Sequence, residues 1–418
     1  RLAAVGRRAD ALAANAEAVE LYREEDCAHP GAVVGSLATS VSNLSIRLAE
    51  AGRYGEALEC AEEAVAIRRT QAATDARATA PKLATALDNL ASRLSRFNRR
   101  EESLAATREA LEIKRQLAAD HPEAFTNDVA LTLHNMAIRC WRLGRLDEAV
   151  EAAEECVAIR RQQVAVRPAA ATTNLANILA NLGVYLYKTG RTDEGVAVAQ
   201  EAVALRRPLA AERPEAELPA LARALTNLSF ALTAVGRADE AVPVAHESVA
   251  IWQPFVKREP ATFSDSYAEA LRGLSRCLFS AGSNDEALVA ITQAVQLRRA
   301  AVAADPGTAE GALGDALQDF GHQLIAAARP DQALTTITEA VELRRGLWRE
   351  FPEAFAPDLG ESLTEYSIQL AALARDDEAR VAIEEALVVL RPAATRYPGA
   401  WGKRLADAEA VRSQLVRK

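Results

Sequence analysis

Apolar and polar residues alternate along this chain with the period of an α-helix. Val41, Leu44 and Leu48 lie at positions i, i+3 and i+7, which share one face of a helix. Gly52 follows this stripe, and a glycine there is typical of a helix end because it accepts left-handed backbone. Glu56 then suits the positively polarised start of a second helix. The pattern therefore predicts a helix-turn-helix hairpin, whose members we call the first helix and the second helix.

This hairpin recurs every 46 residues with no insertion or deletion. Each second helix carries a small residue on its apolar face, and a proline follows that helix in nearly every copy. Because one hairpin cannot bury its own apolar face, consecutive copies must stack into a solenoid. The small residues are Ala11, Ala57, Ser103, Ala149, Gly195, Ala241, Ala287, Ala333 and Ala379. The prolines are Pro30, Pro122, Pro168, Pro214, Pro260, Pro306, Pro352 and Pro398, with Ala76 in the remaining copy.

We expect a single array over residues 1–418, with no linker and no second domain. It is predicted to consist of a second helix without its partner (1–28), eight hairpins (31–398) and a capping helix (399–418). The capping helix has Arg412 where the other first helices have a large apolar residue, and a polar outer face is what the end of a solenoid requires. Because the chain starts at Arg1 without such a cap, we expect an additional domain before it.

Composition narrows the class of protein. Half of the residues are hydrophobic but only 5% are aromatic, so helix-forming Ala and Leu dominate together with Val. No apolar run approaches the ~20 residues of a membrane span. The net charge of −9 argues against nucleic acid or an anionic membrane as a partner. Five cysteines without a Cys-x-x-Cys pair, and no signal peptide, favour a reducing, cytoplasmic setting.

Residue patterns for catalysis and cofactor binding are missing from the sequence. It has no glycine-rich phosphate loop, no Ser-His-Asp order and no pair of histidines at i, i+4. We therefore expect no enzyme, no metal and no cofactor. Pairs of basic residues such as Arg68 and Arg69 are predicted to end the second helices, where they would compensate the helix dipole rather than bind nucleic acid.

The repeated unit resembles a tetratricopeptide repeat. Its first helix places a large apolar residue beside a small one, as in Leu44 and Ser45, and a proline follows the second helix. The period of 46 residues is similar to that of the kinesin-light-chain-like branch, since the usual period is about 34. The resemblance implies an all-α fold, a right-handed α-solenoid whose first helices line the concave side and bind a protein or peptide. The pattern also resembles bacterial repeat arms attached to signalling ATPase or protease domains.

A column of asparagines on the first helices is the sharpest functional signal. An amide side chain offers both a donor and an acceptor, which matches the C=O and N–H of a peptide backbone. A ladder of amides could therefore hold an extended peptide without regard to its sequence. The alternative is that these amides bond to the neighbouring repeat and only set the superhelical twist. The column consists of Asn43, Asn89, Asn135, Asn181 and Asn227.

Charged residues flank this column and change sign along the chain. If they face the groove, a ligand would place an acidic stretch over the early repeats and a basic stretch over the late ones. Two alternatives stay open: a solvated charged face, and a structural, regulatory or oligomerisation arm of a larger protein whose catalytic domain is absent from this chain. The cations are Arg93, Arg96, Arg139, Arg142 and Lys188. The anions are Glu269, Asp315, Asp319, Glu361 and Glu365, with Arg272 and Arg276 interrupting them.

Overall fold

The computed structural model of this chain describes residues 8–166, 168–304, 309–396 and 398–417, and these hold eighteen α-helices and no strand. The all-α prediction is therefore confirmed. Pro306 and the first seven residues lie outside the described ranges. The second helices are α1 (Arg8–Ala28), α3 (Tyr54–Thr74), α5 (Arg100–Asp120), α7 (Leu146–Val166), α9 (Thr192–Glu212), α11 (Ala238–Arg258), α13 (Asn284–Ala304), α15 (Pro330–Glu350) and α17 (Asp376–Arg396). The first helices are α2 (Val34–Glu50), α4 (Ala76–Arg96), α6 (Pro122–Arg142), α8 (Pro168–Lys188), α10 (Pro214–Ala234), α12 (Pro260–Ser280), α14 (Glu310–Ala326), α16 (Pro352–Ala372) and α18 (Pro398–Arg417).

Where both helices have full length, a repeat divides its 46 residues in a fixed way. Helix α5 has 21 residues, His121 links it to α6, and α6 has 21 residues followed by a three-residue turn. Pro122 is the first residue of α6, a place where its missing N–H would have no partner within the helix. In the turn, Gly144 has φ 73° and the Arg145 N–H donates to the Cys140 carbonyl at 2.9 Å. The predicted glycine turns are thus confirmed.

The same turn forms where glycine is absent. Asn98, Ala328 and Ala374 have φ values of 60°, 55° and 58°, so they adopt the left-handed conformation in the glycine's place. Alanine is less suited to it than asparagine, because its Cβ meets the backbone and its side chain has no hydrogen bond to offer.

The basic pairs do not end the second helices, so that prediction was wrong. Helix α3 continues to Thr74, and the dipole acts only within the last turn. Arg68 is instead buried, and its Nη2 donates to Thr39 Oγ1 at 2.6 Å and to the Gly35 carbonyl at 3.1 Å. The following arginine forms an ion pair with a glutamate on the next second helix, 40 residues further along the chain. These pairs are Arg69–Glu109, Arg115–Glu155, Arg207–Glu247, Arg299–Glu339 and Arg345–Glu385.

Small residues lie where the two helices of a hairpin approach each other. Ser45 is fully buried, and its hydroxyl donates to the Ala57 carbonyl at 2.7 Å. Ser275 makes the equivalent bond to the Ala287 carbonyl at 2.8 Å. Because the backbones come this close, larger side chains would not fit between them, which explains the small-residue columns.

The chain divides into two compact units, Arg1–Gln162 (unit 1) and Gln163–Lys418 (unit 2). Consecutive helices pack on each other within each unit. A core cluster of unit 1 includes Val65 and Leu87, and one of unit 2 includes Leu225 and Ile291. The predicted continuous array over residues 1–418 stays a prediction.

Helix α18 buries Trp401, Ala408 and Leu415, whereas Arg412 is exposed. Among the described helices, none combines the length and the apolar character needed to cross a lipid bilayer. The described residues also include no group of three or more His, Cys, Asp or Glu side chains placed to hold a metal ion.

Candidate ligand-binding surface of the first helices

The asparagine column lies on the first helices and is not sealed inside the repeats. Asn43 is exposed on α2, and Asn89 and Asn135 are half-buried on α4 and α6 of unit 1. In unit 2, Asn181 and Asn227 are half-buried on α8 and α10. Each amide therefore keeps some accessible surface.

Two of these amides contact the preceding repeat. Asn89 Nδ2 donates to Ser42 Oγ at 3.4 Å, and Asn227 Nδ2 donates to the Ala180 carbonyl at 3.2 Å. Both contacts join residues 47 positions apart. Within the described part of unit 1, by contrast, the side chains of Asn43 and Asn135 form no hydrogen bond. The column thus contains amides tied to a neighbour and amides left for another partner.

The four predicted arginines of unit 1 lack carboxylate partners. Among the described residues, none of them forms an ion pair. Arg139 Nε donates to Ser103 Oγ at 2.9 Å, and Arg142 Nη1 donates to Ser95 Oγ at 3.2 Å. The Arg96 guanidinium lies over the Tyr54 ring, 3.6 Å from its centroid. Burial lowers the pKa of Arg139, which reflects a charge removed from water without a full counter-charge.

Three of these arginines converge on one open cavity, which we call the arginine pocket. Its volume is about 540 Å³. Burial lowers the pKa of Arg93, and Glu50 opposes this effect only in part. Glu50 is already bonded by Arg47 Nη1 at 2.6 Å. The lining residues are Ile46, Ala49, Glu50, Tyr54, Ser92, Arg93, Ser95, Arg96 and Arg142.

The predicted acidic residues of unit 2 all have a basic partner within the unit. Arg272 Nη1 donates to Asp319 Oδ2 at 2.9 Å, and Arg272 Nη2 donates to Glu269 Oε1 at 2.6 Å. The remaining three pairs are Arg344–Asp315 at 2.7 Å, Arg404–Glu361 at 2.9 Å and His322–Glu365 at 3.6 Å. The acidic half is therefore largely neutralised by its own chain, which its sequence pattern did not reveal.

Three basic residues act on the carboxylate of Asp315 in unit 2. Burial acts to raise the pKa of Asp315, but Arg344, Arg272 and Lys188 outweigh burial and lower it. Asp315 therefore stays ionised, and Lys188 contributes to this stabilisation.

A smaller cavity of about 190 Å³ lies beside Asp319 and His322. The nearby carboxylate of Glu365 raises the pKa of His322, although burial acts in the opposite direction. Gln323 also lines this cavity, and its side chain is 4% exposed, with Nε2 donating to Ser275 Oγ at 2.5 Å. The amide of Gln323 and the ionisable pair of His322 and Glu365 therefore lie at or beside this cavity.

Tyr54 and Ser95 of the arginine pocket were not predicted from the sequence. Tyr54 occurs in a single copy of the repeat, because the equivalent positions hold Arg100, Leu146 and Thr192. A comparison of columns therefore does not single it out. The one feature of the sequence that could have indicated Tyr54 is its position directly after the hairpin turn at Gly52.

A family model described as tetratricopeptide repeat matches the chain at residues 37–70, 83–123, 129–162, 175–207 and 221–253. No curated protein matches it. Among solved structures, BtubC (BKLC) from P. vanneervenii is 21% identical, with 58% of this chain and 90% of that chain covered and a TM-score of 0.46. A putative kinesin light chain from Podosopora anserina is 18% identical, with coverage of 50% and 92% and a TM-score of 0.38.

Aspartyl phosphate phosphatase F from Bacillus subtilis is 13% identical to this chain. The likeness covers 90% of each chain with a TM-score of 0.55, so it shows a shared helical fold. The five family-model matches follow the same 46-residue register as the helices of the structure. The chain therefore contains tetratricopeptide repeats, which the family model matches at five consecutive copies.

Proposed function

We propose that unit 1 binds an extended, acidic segment of a partner protein along α2, α4 and α6. The tetratricopeptide repeat fold supports a protein–protein interaction scaffold and is typical of non-catalytic proteins. The observation that carries the finer proposal is that α2, α4 and α6 each carry an amide of the column, and that on α4 and α6 the amides share a face with arginines that have no carboxylate partner among the described residues. Asn89 and Arg96 are seven residues apart on α4, and Asn135 and Arg142 have the same spacing on α6.

The chemistry of this face fits a peptide with acidic side chains. Seven residues are about two helical turns, so the amides and the arginines form two rows roughly 10 Å apart along the helices. The amide row would bond the backbone of the segment, and the arginine row would bind its carboxylates. We assign the acidic residues of unit 2 to stabilising that unit, because each has a basic partner there.

The test compares free and bonded asparagines in the full chain. Peptides of ten residues would be selected on the wild-type chain from a random library, and their affinities measured for the variants. We expect Asn43→Ala with Asn135→Ala to weaken binding about thirtyfold, since two lost hydrogen bonds of about 1 kcal/mol each add to about 2 kcal/mol. The melting temperature should stay unchanged, because neither amide has a partner within the described part of unit 1.

The matched control is Asn89→Ala. Its amide donates to Ser42 Oγ, so its loss should lower the melting temperature slightly as well as the affinity. If the Asn43 and Asn135 variants bind the selected peptides as the wild type does, the amide row is not a ligand site and the proposal fails.

A second candidate is a structural arm of a larger protein, in which the amides set the superhelical twist. The bonds of Asn89 and Asn227 to the preceding repeat favour it. In that case Asn89→Ala and Asn227→Ala would change small-angle scattering and stability, and no peptide would be selected. The gene sequence upstream of Arg1 would show whether a signalling ATPase or protease domain precedes the array.

We also propose that the protein works in a reducing compartment. All five cysteines, Cys27, Cys60, Cys140, Cys156 and Cys277, are free thiols in the structure. Burial raises the pKa of Cys140 and of Cys156 to about 11, so both stay protonated and inert near neutral pH.

A further inference from the structure

The arginine pocket of unit 1 holds more positive charge than its surroundings balance. Arg93, Arg96 and Arg142 line it, and the carboxylate of Glu50 is shared with Arg47. Arg93 Nε is buried and has no hydrogen-bond partner among the described residues. A buried donor of a charged group without an acceptor is destabilising, so an acceptor that enters the pocket would remove this penalty.

Helix dipoles do not account for the three arginines. Glu50, Arg96 and Arg142 are the last residues of α2, α4 and α6, so the pocket lies at three helix C-termini. Each terminus contributes about half a negative charge, or about one and a half charges in all, against three guanidinium groups. If the charge of Glu50 is balanced by Arg47, the pocket keeps about one and a half positive charges, which an anionic ligand would offset.

The donors of the pocket suit an anion with several oxygens. Three guanidinium groups present planar sets of N–H donors, which pair with phosphate in a bidentate manner. The stacking of Arg96 on Tyr54 and the bond of Arg142 to Ser95 hold two of them in place. Ser95 Oγ accepts from Arg142, so its own proton is available to a ligand. A phosphoryl dianion with three terminal oxygens can accept more hydrogen bonds from these donors than one carboxylate can.

We propose that the arginine pocket binds a phosphoryl group on a side chain of the partner segment. The biological ligand rests on the proposed peptide-binding role, but the pocket itself can be tested without any peptide. Phosphorylation of the partner would then increase its affinity for unit 1 by adding about two negative charges next to the amide row.

The experiment titrates inorganic phosphate into the full chain by calorimetry at fixed ionic strength, with acetate as the comparison anion. We expect phosphate to bind and acetate to bind at least about tenfold more weakly. Arg96→Gln with Arg142→Gln should weaken phosphate binding at least about tenfold, since both substitutions remove charge-assisted hydrogen bonds to the anion. Arg115→Gln is the matched control, because it removes one exposed arginine of unit 1 that pairs with Glu155 outside the pocket.

A variant that is expected to increase the affinity for phosphate distinguishes a loss of binding from a loss of folding. Glu50→Gln removes the only carboxylate of the pocket and should strengthen phosphate binding severalfold. The proposal is overturned if phosphate does not bind, if acetate binds as well as phosphate does, or if neither set of pocket variants changes the affinity. Peptide selection and phosphate binding are separate measurements, so failure of the proposed function leaves the phosphate result standing, and the reverse holds too.

Discussion

Adjacent arginines in the second helices make two different kinds of contact. Arg206 is 3% exposed and contacts Glu217, which is also buried. Arg207 is half exposed and pairs with Glu247 at 2.7 Å on the surface. Removing one partner of a buried pair leaves an uncompensated charge in the interior, whereas water takes over at a surface pair. The two neighbours should therefore differ greatly in their effect on stability.

We predict that Glu217→Gln lowers the free energy of unfolding of unit 2 by about 3 kcal/mol. Glu247→Gln, which removes the partner of the next arginine, should lower it by less than about 1 kcal/mol. Urea unfolding of the two variants provides the measurement. Equal decreases in the free energy of unfolding would show that the buried pair contributes no more to stability than the surface pair.

The sequence reveals which positions are small or apolar, but not which residues a long basic side chain contacts. The columns of Ser45 and Ala57 were predicted, and both residues are fully buried. The burial of Arg68 was missed because it depends on contacts with Thr39 and Gly35 in another helix. A glutamate 40 residues after the second arginine of a pair was a usable signal, since a constant offset in an exact repeat indicates contact between neighbours.

At the scale of the helix, one repeat begins without its proline. Asp75 precedes Ala76 with φ −143° and ψ 82°, and its side chain accepts from the Ala78 N–H at 3.1 Å. His121, which precedes Pro122, has nearly the same backbone, with φ −138° and ψ 71°. The backbone before Ala76 is therefore already suited to a following proline.

We predict that Ala76→Pro stabilises the chain by about 0.4–1 kcal/mol. Proline fits the first helical position, and it reduces the conformational entropy of the unfolded chain. Thermal unfolding of the variant and the wild type gives the comparison. A lowered melting temperature would mean that this helix start differs from those of α6, α10 and α12.

The ends of the helices could be predicted from the sequence, whereas the contacts between neighbouring repeats could not. The turns after Gly52 and Gly144 follow from local chemistry, so the sequence was enough. The contact of Asn89 with Ser42 depends on how far one repeat is shifted against the next, which no single hairpin specifies. The same shift places Arg272 beside Asp319 and neutralises the predicted acidic half.

At the scale of the whole molecule, the two units contain histidines of opposite behaviour. In unit 2 the carboxylate of Glu365 raises the pKa of His322, with Asp319 and Glu361 adding to the effect. In unit 1 burial lowers the pKa of His134, and Arg160 adds to the effect. The stability contributed by His322 is therefore present below the unfolded pKa near 6.5 and is lost as pH rises through its raised folded pKa. His134 contributes a loss of stability as pH falls below about 6.5.

We predict that acidification from about pH 8 to about pH 5 strengthens α14 and α16 relative to α6. Hydrogen exchange followed by mass spectrometry at the two pH values would detect this in each helix. His322→Gln should remove the gain in protection of α14, and His134→Gln should remove the loss in α6. Unchanged pH responses in both variants would show that other groups dominate.

The single-residue connection between a second helix and the next first helix has a consequence for insertions and deletions. One residue added within a helix next to this connection would rotate the rest of that helix by about 100° around its axis, turning its apolar face away from the core. Removal of a whole block of 46 residues would instead keep the register of the repeat at the new junction. Length variants of this protein should therefore survive only in multiples of the complete block.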